Sequence, residues 1–273
     1  MFKWNNKILF YVRLGTLLLV LSFLIVDLVL TIIDPLPQFS GLGYAERVSN
    51  YYAFFTTQTN YIVAIYFFIY LFEGKFANRS PSYLIKLAVT TYITITMLVF
   101  WLGIFTNTQD ANQYDAYSWI STIVLHLIIP ISMIISYILT SGNFQYNLKK
   151  HHKLALWLIL IYPILYFIVI LIRGTLRYLD HRPLNTWYPY FFLNVYQEWG
   201  WLILIFAFIC ILILFIGLQY LYIFLNNKLY HKYHGQTLNK RVNEKVFGIK
   251  EDSVTLQNKD VFIPQTLLNI FYK

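Results

Sequence analysis

The residues able to do chemistry in this chain are few, and they stand inside greasy sequence. Asp27, the run Thr56-Thr57-Gln58-Thr59-Asn60, His126, Arg173 and Glu198 interrupt or border long apolar stretches. Ionisable groups are costly in hydrocarbon, so those that occur there usually face a bundle interior and are functional candidates. His126 stands four residues before Pro130 in "STIVLHLIIPISMI". Proline has no amide proton, so the His126 carbonyl loses its helical partner, the helix is expected to kink, and the carbonyl wants another donor. A neutral imidazole beside such an opened turn can serve as acceptor or base. Thr57 and Asn60 are three apart and share a helix face. In "TTYITIT", Thr90 and Thr94 share another. Each such threonine has a plainer reading as interhelical packing glue.

Other polar clusters promise less. "HKYH" (His231, His234) has metal-pair spacing but no Cys or acidic ligand close by, and it reads with His151 and His152 as a solvated face beside the membrane. No metal and no cofactor is expected. The segment after Arg173, with Arg177, Arg182, Gly174, Pro183, Pro189 and several Trp and Tyr, reads as irregular backbone on an interface. Its arginines could receive lipid phosphate or carboxylate, or the segment could be a lid without a ligand.

These groups need helices to hold them. The chain has 273 residues, 58% hydrophobic, 20% aromatic and 12% charged. A soluble domain carries about twice that charge fraction. The expected fold is all-α and polytopic, with six transmembrane helices at about 8–33, 52–72, 83–105, 118–140, 154–172 and 199–225, and a basic tail over 226–273. The tail's apolar patches "KVFGI" and "DVFIPQTLLNIF" suggest an amphipathic appendage. The first stretch is too long for a signal peptide and reads as an uncleaved span. Seventeen Lys and Arg fall on the side of both termini and four (Arg47, Arg173, Arg177, Arg182) on the other. That bias puts both termini in the cytoplasm of a multi-pass plasma-membrane protein. The net charge of +9 then serves anionic lipid headgroups at the cytoplasmic face rather than nucleic acid. Lone Cys210 excludes an internal disulfide and reads as a small core residue. At helical rise, Asp27, Thr57 and His126 lie roughly 9, 8 and 12 Å below the outer boundary, and Arg173 and Glu198 near it. One polar layer in the outer half of the bilayer is the expectation.

The segments "FFTTQTNYIVA", "AVTTYITITMLVF", "VLHLIIPI", "LWLILIYPILYFIVILIRG" and "YPYFFLNV", taken in order over roughly residues 8–225, resemble a bacterial family of six-helix membrane proteins. That family is similar to the eukaryotic androgen-induced-gene family, which includes the androgen-dependent tissue-factor-pathway regulator. The resemblance implies an intramembrane hydrolase of fatty-acyl esters with a threonine nucleophile and a later histidine. By motif, Thr57 is the nucleophile and His126 the base, while Asn60 stands where the eukaryotic pattern has an acid. Gln58, Asn60 or Arg173 would steady the oxyanion, and Asp27 belongs to the surrounding polar set. Membrane lipids are the implied partners. A proton-coupled or small-molecule transporter and a non-catalytic lipid sensor or scaffold remain alternatives, and oligomeric state is left open. No G-x-S-x-G elbow or H-E-x-x-H motif occurs.

Overall fold

The computed structural model describes residues 6–76, 82–104 and 115–247. Regular structure among them is entirely helical. Five helices are long and apolar enough to cross a membrane: Ile8–Ile33, Tyr83–Gly103, Ala116–Leu139, Leu148–Leu179 and Gly200–His234. Their outward faces carry Ile25, Leu165, Val169, Ile172, Phe206 and Ile213, all at least half exposed. An apolar exterior on this scale belongs in a lipid-like medium rather than in water. Cys210 lies on this exterior and is exposed, not part of the core.

The first spanning helix is α1 (Asn6–Ile33). The second expected span, 52–72, falls almost wholly in α3 (Phe55–Phe76), which enters the interior; ahead of it α2 (Tyr44–Ala53) lies at one end of the bundle and the chain turns at extended Phe54. With 22 residues α3 has the length of a span, but its five consecutive polar residues dilute its apolar character. Position resolves the conflict. α3 packs between α1 and α4 (Tyr83–Val99). Thr59, Asn60 and Val63 are completely buried. A helix shielded from lipid by its neighbours can carry polar groups that a peripheral helix cannot.

α4 is the other central helix. Of its spanning window 61% is buried, against 17% for the last helix. A short π-helical turn, Phe100–Ile104, extends it. The next helix is α5 (Ala116–Ile123), a π turn Val124–Ile128 and α6 (Ile129–Leu139), run together. A one-turn α7 (Leu148–Lys150) leads through π turn His151–Ala155 into α8 (Leu156–Leu179). Here the structure corrects the reading of His151: it is 1% exposed with both ring nitrogens unpartnered, while His152 stays exposed and meets the Tyr220 hydroxyl at 2.8 Å. Two short 3-10 turns, Leu184–Thr186 and Phe191–Leu193, cross the end of the bundle. α9 (Gly200–Phe247) closes the chain and passes residue 225 without a break. Residues 248–273, with the "DVFIPQTLLNIF" patch, lie outside the described residues.

Gly174 is helical rather than irregular. It lets the Tyr188 ring approach so closely that a Cβ there would stand 2.0 Å from it. The two inner prolines are handled alike. Pro163 removes the amide that would serve the Ile159 carbonyl, and the Tyr92 hydroxyl donates to that carbonyl at 2.6 Å. Near Pro130 the Ile129 amide bonds Val124 O, a five-residue register that leaves Leu125 O facing the proline. Asn60 Nδ2 donates to Leu125 O at 3.2 Å and Trp101 Nε1 to His126 O at 2.9 Å. The carbonyl opened by Pro130 thus finds its donor, and the bend takes the form of a π turn, a common device beside buried prolines and functional sites.

Candidate lipid cavity and polar layer

A partly open cavity of about 90 Å³ lies between α3, α4, α8 and α9 under the 190–193 turn. Its walls are Ile95, Phe100, Leu160, Phe167, Leu212, Phe215 and further apolar side chains. Thr56, Thr96, Tyr166 and Tyr190 are the hydroxyl-bearing residues of its lining. The almost wholly apolar lining suits an apolar group.

The hydroxyls are placed by helix ends and hydrogen bonds. Phe55 opens α3, so its amide has no helical acceptor; the Tyr190 hydroxyl accepts it at 3.0 Å. The Tyr166 hydroxyl donates to Ala53 O at 2.8 Å, where α2 ends. Thr96 shares a 2.8 Å hydrogen bond with Thr59, joining α4 to α3. Thr94 makes a similar 2.7 Å link to Tyr222 of α9. Thr94 and Thr96 thus act as interhelical glue, whereas the Thr90 and Thr91 hydroxyls donate to Lys86 O and Leu87 O of their own helix.

The residues singled out by sequence are distributed around this cavity. Thr57 is buried and its hydroxyl has no hydrogen-bond partner among the described residues. Thr56, its neighbour, is the one that faces the cavity; successive helical side chains point about 100° apart, so the two do not share that wall. His126 Nδ1 lies 3.0 Å from Thr122 O. A carbonyl only accepts, so Nδ1 carries the proton and Nε2 of the neutral ring offers its lone pair. Nε2 has no partner among the described residues. The imidazole stacks on Phe100 with centroids 3.7 Å apart. Phe100 lines the cavity and His126 does not, so this aromatic ring forms the wall between them. No hydrogen bond joins Thr57 to His126.

The supporting residues have other work. Asn60 Nδ2 is committed to Thr56 O at 2.9 Å and to Leu125 O. Gln58 donates to Tyr52 O at 2.8 Å and accepts from the Tyr162 hydroxyl at 3.1 Å. Asp27 accepts from the Tyr117 hydroxyl at 2.5 Å and from Ser121 at 2.8 Å, fastening α1 to α5. Arg173 donates to Asn50, to Ser49 at 3.3 Å and to the carbonyls of Thr186 and Trp187, both at 3.3 Å, so it clamps α2 to the crossing turn. Its guanidinium is not part of the cavity lining. Glu198 is exposed.

At the same end, Glu46 is 3.3 Å from both Arg177 and Arg182. Asp180 and then Glu46 raise the Arg182 guanidinium above its ordinary value. Hydrogen bonds from Ser118 hold the Asp115 carboxyl, the N-cap of α5, below the usual carboxylate range. Among the described residues no group of three His, Cys, Asp or Glu could hold a metal ion. His231 meets Gln145 at 3.3 Å and His234 its own helix at Tyr230 O, 3.0 Å away.

Sequence reasoning missed Thr56, Thr96, Tyr166 and Tyr190 as cavity groups. The spacing of Thr96 from Thr94 was visible, but the facing helix that gives each a role was not. Comparison with protein-family models, with curated proteins and with solved structures finds no match to this chain.

Proposed function

We propose that this chain is a six-span plasma-membrane protein, with both termini cytoplasmic, that takes the fatty-acyl chain of a membrane lipid into the cavity between α3, α4, α8 and α9. The carrying observation is the cavity itself: apolar walls with Thr56, Thr96, Tyr166 and Tyr190 as its polar groups. Hydrocarbon fills such a space without leaving polar atoms unpaired, since the Tyr166 and Thr96 hydroxyls are already bonded within the protein. The test is photolabelling of the purified protein in nonionic detergent with a diazirine fatty acid. Adducts should concentrate on Phe55, Ile95, Leu160 and Leu212, and Ile211→Trp should fill the cavity and remove them. Labelling spread over the apolar exterior and unchanged by Ile211→Trp would refute the reading.

Ester hydrolysis is the second reading, and it keeps the roles that the family resemblance implies. One observation favours it: Thr57 Oγ1 and His126 Nε2 are two polar atoms without a hydrogen-bond partner among the described residues. Nε2 would take the Thr57 proton as Oγ1 attacks the ester carbonyl; the alcohol would leave with that proton, and water would then free the acid. The two groups must first come within hydrogen-bond reach. Fluorophosphonate labelling and lipid-ester turnover should both vanish in Thr57→Ala and His126→Ala. Equal labelling of wild type and both variants would sink the mechanism.

A further inference from the structure

The opposite end of the bundle holds two cations that nothing neutralises. Arg13 of α1 is 5% exposed and Lys86 of α4 4% exposed. Both belong to the seventeen basic residues that the sequence puts on the side of the termini, and both are buried. They converge on adjacent residues of α6: Arg13 Nε donates to Ser136 Oγ at 3.1 Å, and Lys86 Nζ lies 4.5 Å from the centre of the Tyr137 ring. Arg13 also stacks over Tyr70 at 3.9 Å. Arg13 Nη2 and Lys86 Nζ are buried without a hydrogen-bond partner. Among the described residues no carboxylate pairs with either; the ion pairs gather around Glu46 and Asp180 at the other end.

Two like charges facing one interior repel each other and have both lost water. Aromatic faces return part of that loss, less than an ion's full desolvation. An anion between them would satisfy both and would meet further donors there. From these observations we infer that Arg13 and Lys86 form an oxyanion site for a phosphomonoester, with the Ser136 hydroxyl beside it. A phosphomonoester carries roughly two negative charges near neutral pH, matching the two cations, and arginine suits its planar pairs of oxygens. Arg13 is seven residues past the start of α1 and Lys86 three past the start of α4, roughly 10 and 5 Å into their helices at 1.5 Å per residue. That depth is within reach of a lipid headgroup phosphate and also of a soluble phosphate entering from the helix ends.

The test is thermal unfolding of the full chain in nonionic detergent and phosphate-free buffer. Three probes are added: inorganic phosphate, dioctanoyl phosphatidic acid, and dioctanoyl phosphatidylglycerol as a phosphodiester control. Wild type should melt roughly 5–10 °C higher at a hundredfold excess over Kd with one or both of the first two, and less with the diester. A response to phosphatidic acid alone assigns the lipid source; a response to inorganic phosphate assigns a soluble one. Arg13→Gln and Lys86→Met should weaken binding at least tenfold. Lys86→Met removes an unpaired buried charge, so without phosphate it should melt no lower than wild type, which shows that its lost response is not misfolding. If Arg13→Gln fails to fold, Arg13→Lys serves, keeping the charge and losing the paired geometry. A wild type indifferent to both phosphomonoesters, or variants that respond as wild type does, overturns the site.

Discussion

The hydrogen bond from Tyr92 to Ile159 O exists because Pro163 has no amide to give. That causal claim can be tested as a cycle. Tyr92 is 7% exposed and its hydroxyl reaches the carbonyl at 2.6 Å, a short and buried bond. Tyr92→Phe removes the donor and keeps the ring against Tyr162 and Phe215. A carbonyl left unsatisfied away from water costs about 1–3 kcal/mol, while side-chain bonds within membrane proteins average nearer 0.6; about 1 kcal/mol is the reasoned middle. Pro163→Ala restores an amide four residues beyond Ile159, and the helix can then serve its own carbonyl. In that background Tyr92→Phe should cost less than about 0.5 kcal/mol, leaving a coupling of at least half the original effect. The assay is reversible unfolding in mixed micelles, with all four proteins measured under one condition. A single variant shift of about 2–4 °C is expected for a chain of this size. Equal cost of Tyr92→Phe with and without the proline would refute the argument. Since Pro163 and Leu160 line the cavity, the same cycle reports how the cavity wall is held.

The remaining expectations are simpler. Trp101→Phe withdraws the donor from His126 O and should destabilise by about 1 kcal/mol, with a larger effect on hydrogen exchange around Pro130 than elsewhere. Gly174→Ala drives a methyl into the Tyr188 ring and should cost about 1–3 kcal/mol in a melt; Gly174→Ala with Tyr188→Ala should recover most of it. The Asp115 cap has its carboxyl depressed in the fold, so its contribution is full above the unfolded carboxylate value of about 3.9 and fades as pH falls through the folded value. Trp119 fluorescence should therefore show the first turn of α5 loosening only in strong acid, and Asp115→Asn, which still caps, should flatten that dependence.

Long apolar stretches were legible because a span of hydrocarbon demands them, and the starts at Ile8, Tyr83 and Gly200 fall within a residue of those expected. The need of the His126 carbonyl for a donor was also legible, since Pro130 removes an amide wherever the helix packs. Trp101 as that donor was not, because the pairing is made across two helices separated by chain outside the described residues. Pro163 carried the same signal as Pro130 and passed unread, with Tyr92 as its answer. The break at Phe54 was hidden because α2 and α3 form one run of aromatic and polar residues, and only the turn of the backbone divides them.

Charge was read least well, for a physical reason. A positive residue near a helix start looks the same whether it snorkels to the interface or turns inward. Arg13 and Lys86 turn inward because α3 and α6 offer Tyr70, Ser136 and Tyr137 at the matching level. The polar run of α3 follows the converse logic. Thr59 and Asn60 are tolerable only because α4 presents Thr96 and the π turn exposes Leu125 O to receive them. Several interior polar groups are thus paired across helices, while Asn60 Oδ1, Gln219 and the His151 ring nitrogens are buried without a hydrogen-bond partner. Thr57 falls outside that pairing: it is buried on the same helix with its hydroxyl unbonded among the described residues. A hydroxyl spent on packing would be expected to have a partner in the resting fold, as Thr59, Thr94 and Thr96 do. Its freedom is what separates Thr57 from the other threonines of the layer and makes Thr57→Ala the informative substitution: lost turnover with an unchanged melt supports a reacting hydroxyl, whereas a lowered melt with turnover retained returns it to packing.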